Sequence, residues 1–307
     1  MRVMIGVDGS EGSIEAVRQA GRLLSASRDR VALYYSPPRV AVRSDRPLPH
    51  DALEESRQAL VHSVFAHARE LLPAALREGV EEIVGEQNPR RGLRIAADQW
   101  QADLIVVGAH GASTLGQTLL GSVARSLIYD TVRPVLIARA KPGPKSDNAF
   151  RVIMAVGEVP ALSAATNLLG QISFPERTHG RVVHVMEPMF GAEIPPWLEE
   201  KVRSARDDEL THAWIEGYER EKHAKEAEMQ RYAKTLPGAL AALPPLVVEG
   251  LPAKKLLDLA ASDDLDLIIL GTRGLSIAER FFIGSTTEKL LTHAPCSLLV
   301  MHYGAHP

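Results

Sequence analysis

At 307 residues the chain exceeds a typical single domain, and two domains of roughly 150 residues, each with its own core, are the expectation. The apolar fraction of 45%, the charged fraction of 24% and the formal net charge of -3 are those of an ordinary globular protein and argue against nucleic acid as a partner. No apolar stretch approaches the roughly 20 residues that span a bilayer, Met1-Arg2-Val3-Met4-Ile5 does not open a secretory signal, and one cysteine cannot form an internal disulfide; a cytoplasmic protein without a membrane partner is expected.

From the N-terminus on, short apolar runs bounded by turn residues alternate with helical stretches. They predict strands near 2–7, 31–35, 81–85, 103–107 and 134–138, and helices near 11–26, 51–78, 90–100 and 120–131. A proline-rich connection from Tyr35 to Pro49 precedes the long second helix. Lys141-Pro142-Gly143-Pro144-Lys145-Ser146-Asp147-Asn148 then sets two prolines and a glycine among polar residues, which prevents continuous helix or strand and reads as an exposed linker. Beyond it, strands are expected near 151–156, 181–186, 245–249, 265–270 and 297–301. A second proline-bearing connection, Met186 to Trp197, leads into a densely charged helix near 198–235, expected to be solvated with one core stripe. His184, inside a strand, reads as a satisfied core residue, and Cys296, opening Cys296-Ser297-Leu298-Leu299-Val300, as part of a buried strand.

Strands apolar on both faces and separated by helices indicate α/β architecture with a doubly wound parallel sheet. The architecture is repeated. Ala102-Asp103-Leu104-Ile105-Val106-Val107-Gly108-Ala109-His110-Gly111 reappears, 163 residues later, as Leu265-Asp266-Leu267-Ile268-Ile269-Leu270-Gly271-Thr272-Arg273-Gly274. The same offset carries Pro89 onto Pro252 and Gly121-Ser122 onto Gly284-Ser285. At the front of each copy, Arg2-Val3-Met4-Ile5 maps onto Arg151-Val152-Ile153-Met154 with the smaller offset of 149, so the second copy holds extra residues in its middle. Two five-stranded units, 1–141 and 149–303, follow.

In an open parallel sheet the strand C-termini form a crevice, and a helix starting there directs unpaired N–H groups into it, which favours anions. After Leu104-Ile105-Val106-Val107 come Gly108-Ala109-His110-Gly111, nine residues, and Gly121-Ser122-Val123-Ala124 opening a helix. The second copy repeats this as Gly271-Thr272-Arg273-Gly274, nine residues, and Gly284-Ser285-Thr286-Thr287. Glycine permits close backbone approach, and the hydroxyl at the helix start adds a donor, a chemistry suited to phosphate. One such turn would serve equally as a structural cap; two with identical spacing, each after a buried strand, favour the ligand.

The pattern G-x2-G-x9-G-[ST] after the fourth strand resembles the nucleotide signature of ATP-binding universal stress proteins, and the likeness covers nearly the whole chain as a tandem pair. The opening strand ending in Val7-Asp8-Gly9-Ser10, the turns Gly85-Glu86-Gln87-Asn88-Pro89 and Gly250-Leu251-Pro252, and the final strands introduced by Arg133-Pro134 and Pro295-Cys296 fit the same family. The resemblance implies an adenine nucleotide α-hydrolase-like, Rossmann-like fold and bound ATP, with Mg²⁺ as its companion. In the first copy Val107, Gly108, His110, Gly111, Gly121, Ser122, Val123 and Ala124 would cradle phosphate and ribose, Asp8 would meet the nucleoside, and Tyr35 would lie beside the base. The matching second-copy positions are Leu270, Gly271, Arg273, Gly274, Gly284, Ser285, Thr286, Thr287 and Val185. Arg273 would pair directly with a phosphate, His110 only when protonated or through a neutral N–H. One departure stands out: Gly157 takes the place of Asp8, with Glu158 one residue later. On these grounds the first copy is favoured for the nucleoside and the second for phosphate. The resemblance further implies that the last strands pair across a two-fold, here between the two halves as a pseudo-dimer; a further homodimer is left open.

No P-loop, G-x-G-x-x-G, G-x-S-x-G or paired-cysteine metal spacing is present, and the eleven histidines are scattered, so an enzyme lacks an evident base; slow ATP hydrolysis by phosphate positioning is the most it would show. A non-catalytic adaptor with degenerate nucleotide loops, and a half that holds a small non-nucleotide ligand, are the other two rival readings.

Overall fold

The runs of β-branched and aliphatic residues that follow each turn form ten strands of a single sheet. The computed structural model describes residues 1–38, 50–86, 88–111, 120–141, 148–157, 163–188, 209–273 and 283–303. In the N-terminal half the order is β1 (Arg2–Gly6), α1 (Glu11–Leu23), β2 (Arg30–Tyr35), α2 (His50–Leu71), α3 (Ala74–Arg77), β3 (Glu81–Val84), α4 (Pro89–Gln99), β4 (Leu104–Gly108), α5 (Ser122–Asp130) and β5 (Val135–Ala138). The C-terminal half runs β6 (Phe150–Ala155), α6 (Ser163–Gln171), β7 (Thr178–Met186), α7 (Glu209–Ala233), β8 (Leu246–Glu249), α8 (Pro252–Ser262), β9 (Leu267–Arg273), α9 (Ser285–His293) and β10 (Ser297–Tyr303). The expected helix over 51–78 is two helices, because Pro73 has no N–H to continue the first; the leading part of the expected 198–235 helix and most of the 141–148 linker lie outside the described residues.

The strand order is β3-β2-β1-β4-β5-β10-β9-β6-β7-β8. Within each half every pairing is parallel, and the order reverses between the first and fourth strands of the unit: β1 lies against both β2 and β4, and β6 against both β7 and β9. The duplication reaches single hydrogen bonds. Arg2 N–H donates to Asp103 Oδ2 at 2.7 Å, and Arg151 N–H to Asp266 Oδ2 at 2.9 Å, at the same corner of each unit.

The halves join where β5 and β10 pair antiparallel, Leu136 facing Leu299, with Val135 opposite Val300 and Ile137 opposite Leu298. This seam changes where the core sits. Instead of one core per half, one apolar cluster lies on each face of the sheet and both extend across the seam: Val3, Leu33, Leu136, Leu299 and Met154 on one face, Ile105, Ile137, Leu298 and Ile268 on the other. Residue alternation along parallel strands buried on both faces produces this directly. Arg139, just past β5, drives its guanidinium across the seam to the carbonyls of Leu291 and Ala294 at the C-terminus of α9, where a cation complements the helix dipole.

Cys296 is buried at the start of β10, and burial pushes its thiol up to about 12. His184 is buried in β7; its Nδ1 lies 2.8 Å from the Val156 carbonyl, which can only accept, so Nδ1 carries the proton. Both match the core roles expected of them.

Candidate functional site

Where the order reverses between β1 and β4, the strand C-termini open a cavity of about 780 Å³, within the range of small-molecule sites. It runs from the ends of β2 and β3 across β1 to β4 and the start of α5. The structure brings together there all ten N-terminal residues named above: Asp8 after β1, Tyr35 at the end of β2, Val107, Gly108, His110 and Gly111 around the end of β4, and Gly121, Ser122, Val123 and Ala124 at the start of α5.

Three backbone segments pack against one another to build the floor. Gly108 and Gly12 meet so closely that a Cβ on Gly12 would lie 1.9 Å from the His110 carbonyl oxygen, and one on Gly108 2.3 Å from the Gly12 carbonyl carbon. Gly121 N–H donates to Ala109 O at 2.7 Å, and a Cβ on Gly121 would stand 3.0 Å from that same oxygen. These contacts hold the 108–111 loop and the α5 N-terminus side by side. Gly121 caps α5 with extended geometry (φ -59°, ψ 151°) and no side-chain acceptor, and the first intrahelical bond is Arg125 N–H to Gly121 O at 2.9 Å. The N–H groups of Ser122, Val123 and Ala124 therefore have no helical partner and belong to residues that line the cavity.

Asp8 does double work. Its Oδ1 accepts from the Ser10 N–H at 3.0 Å and from the Ser10 hydroxyl, an Asx-type turn that starts α1, while Ser10 Oγ in turn accepts from Ser13 N–H at 3.2 Å as the helix cap. Its Oδ2 faces Gly111, 2.9 Å from where a Cβ on that residue would be. Tyr35 is buried edge-on against Phe65, ring centroids 6.3 Å apart, and burial together with the Asp8 charge raises its phenol above the ordinary value. At the far end, Tyr34 packs its ring onto Gly85, where a Cβ would lie 2.0 Å from the hydroxyl, and Asn88 caps α4 by accepting from Arg90 N–H at 3.1 Å. The described lining carries the imidazole of His110 and the carboxylates of Asp8 and Glu86 but no lysine or arginine, so backbone N–H groups and the α5 dipole are what make the β4–α5 end attractive to an anion. Gly12, Tyr34 and Ser13 went unnoticed in the sequence, because contacts with distant segments are what bring them to the cavity.

The C-terminal half is built differently at the equivalent places. β9 does not end at Leu270 as expected but continues through Arg273, Thr272 opposite His302 and Arg273 opposite Tyr303, because β10 is itself longer than β5. Leu270 is buried as Val107 is, Gly271 lies within the strand, and Gly274 and Glu158 lie outside the described residues. Gly284 caps α9 with φ +52°, and Ser285, Thr286 and Thr287 form the first turn together with Glu288. Strand register also corrects one match. Gly6 faces Tyr34 and Ala155 faces Val183, so the counterpart of Tyr35 is the buried His184, and Val185 stands where the first half has Ser36. An offset of one reverses the face that a strand residue presents.

Among the described residues no helix is long and apolar enough to cross a membrane, and no three His, Cys, Asp or Glu side chains gather as a metal site. The family model described as the universal stress protein family matches residues 1–139 and 194–302, most of the chain. A universal stress protein of Mycobacterium tuberculosis strain H37Rv is 35% identical over 138 residues, covering 44% of this chain and 93% of that protein. A second from the same organism is 25% identical over 305 residues, covering 97% and 95%. The crystal structure of a universal stress protein from Archaeoglobus fulgidus DSM 4304 shares the fold, with a TM-score of 0.57 at 18% identity over 99% of this chain and 98% of that one. With the duplicated Rossmann-like units and the glycine-built crevice, these matches establish that the chain belongs to the universal stress protein family.

Proposed function

We propose that the N-terminal cavity binds an adenine nucleotide, ATP foremost, and that the chain acts in a cytoplasmic stress response as a nucleotide-dependent sensor or regulator rather than as an enzyme. The observation that carries this reading is the meeting of the 108–111 loop with the uncapped N-terminus of α5 at a topological switch point. Close packing of Gly12, Gly108 and Gly121 leaves no room for side chains on the floor, and N–H groups take the place that lysine or arginine holds at other phosphate sites. The phosphates lie over Gly108–Gly111 and the first turn of α5. The ribose hydroxyls meet the Asp8 carboxylate, and the base enters between Tyr35 and the end of β3. Mg²⁺ bound to the phosphates would neutralise part of their charge. The same reading takes residues 1–141 and 149–303 as two units joined through β5 and β10 into an intramolecular pseudo-dimer.

Equilibrium dialysis of the full chain against labelled ATP tests the site. Wild type retains ATP; Ser122→Asp, a substitution at a residue that already carries a side chain in the first turn of α5, places a carboxylate beside the phosphate position and weakens binding by at least about 100-fold with an unchanged far-UV circular dichroism spectrum. A wild-type chain that retains no ATP would sink the reading and favour an adaptor with relic loops.

A further inference from the structure

We infer that each chain takes one nucleotide, not two, because the crevice of the C-terminal half no longer fits a polyphosphate although it keeps the glycine spacing. The inference rests on the nucleotide reading of the N-terminal cavity and concerns what the duplication did to the second copy.

The path of the loop differs first. In the N-terminal half the strand stops at Gly108, the chain bends, and His110 and Gly111 line the cavity. In the C-terminal half the matching backbone stays in the sheet, with Thr272 and Arg273 laddered against His302 and Tyr303. Arg273, the residue best suited by type to grip a phosphate, is thus a strand residue rather than a loop residue.

The reason is legible at one position. The bend requires Gly12, since any Cβ there would fall 1.9 Å from the His110 carbonyl oxygen. The offset that carries Arg2 onto Arg151 carries Gly12 onto Ala161, so the second copy has a methyl-bearing residue where the first has the glycine its loop needs; Ala161 itself lies outside the described residues. The helix cap differs as well. Gly121 is pressed on Ala109, whereas a Cβ on Gly284 would meet no described atom within 4 Å, and the cap has moved from φ -59° to +52°.

The chemistry has changed in the same direction. Glu288 stands in the first turn of α9 where α5 has Arg125, and a carboxylate there already complements the dipole that a phosphate would otherwise use. Gly157 replaces Asp8 and Val159 replaces Ser10, removing both partners of the turn that offers a carboxylate to the ribose. Each change alone is tolerable. Together they withdraw the backbone cradle, the favourable charge and the ribose acceptor from one crevice.

Isothermal titration of the full chain with Mg·ATP, cross-checked by native mass spectrometry, decides the matter. The expected result is one ATP per chain, binding lost by at least about 100-fold in Gly121→Asp and Ser122→Asp, and within twofold of wild type in Gly284→Asp and Ser285→Asp. The serine variants guard against misfolding, since aspartate in a helix first turn is stabilising. Two ATP per chain in wild type, reduced to one by either pair of variants, overturns this inference and leaves the nucleotide reading intact. A single ATP that is lost in the Ser285→Asp chain and kept in Ser122→Asp overturns the assignment of the site to the N-terminal half. No ATP at all overturns the nucleotide reading itself.

Discussion

Gly12 shows how much of the cavity hangs on one missing methyl group. Its hydrogen atoms face the His110 carbonyl, and no rotamer adjustment can relieve a clash between two backbones. Gly12→Ala is expected to cost about 2 kcal/mol, the scale of overpacking in a tight site, and to weaken ATP binding at least tenfold; urea unfolding and dialysis measure the two effects separately. A stability loss without an affinity loss would separate the packing of α1 from the geometry of the loop. Cys296 offers the opposite case, a reactive group made inert by position. With its thiol pushed up to about 12 by burial, it stays protonated at pH 8, so a maleimide reagent should leave the folded protein unlabelled and label it fully in denaturant. Cys296 is legible in the chain alone by its apolar neighbours; Gly12 is not, being one glycine among many. What makes Gly12 special is a contact with a residue 98 positions away, which no local pattern encodes.

At the scale of elements, helix ends carry the information. α4 and α8 occupy the same place in the two units and both begin with proline, yet only α4 has a side-chain cap, Asn88 accepting from Arg90 N–H. Asn88→Ala should cost about 1 kcal/mol in thermal or chemical unfolding, with the equivalent Leu251→Ala costing less than half of that. At its C-terminus α9 depends on the other half of the chain: Arg139 crosses the seam to donate to Leu291 and Ala294. Burial lowers the pKa of this guanidinium from its ordinary value without neutralising it, so it remains a cation at the negative end of the helix. Arg139→Met keeps the aliphatic stem and removes the charge, and should destabilise the chain by about 2 kcal/mol, read as a lower urea midpoint. An unchanged midpoint would mean that water serves those carbonyls equally well. In the N-terminal half the sequence predicted four helix starts, near 11, 51, 90 and 120, to within two residues, because caps, prolines and glycines are local. It missed the break at Pro73, where the required signal was present, and the lengthening of β9, where it was not.

For the whole molecule, the antiparallel meeting of β5 and β10 turns two five-stranded sheets into one and lets each face of the sheet carry a core shared by both halves. Stability should accordingly respond to pH through groups on both faces. The folded state holds Cys296 and Tyr232 protonated up to about 12, above their ordinary values of 9.0 and 10.0. Between roughly pH 9 and 12 the unfolded chain releases these protons while the native chain retains them, so unfolding becomes easier as pH rises and the contribution is intact below pH 9. Urea midpoints measured from pH 8 to 11 should fall with rising pH, and Cys296→Ala should flatten part of that slope.

Legible in the residues alone were the duplication, the alternation of strand and helix, and the paired glycine loops, because apolar period, turn glycines and helix starts are properties of neighbours along the chain; the ten residues that converge on the N-terminal cavity were named by the family resemblance. Three matters waited on the folded molecule: the sharing of one core on each sheet face by both halves, the register that makes His184 rather than Val185 the counterpart of Tyr35, and the continuation of β9 through Arg273 where β4 stops at Gly108. Each depends on which distant backbones touch, a matter of ångströms between segments that sequence spacing leaves free, and the identical spacing of the two loops conceals it.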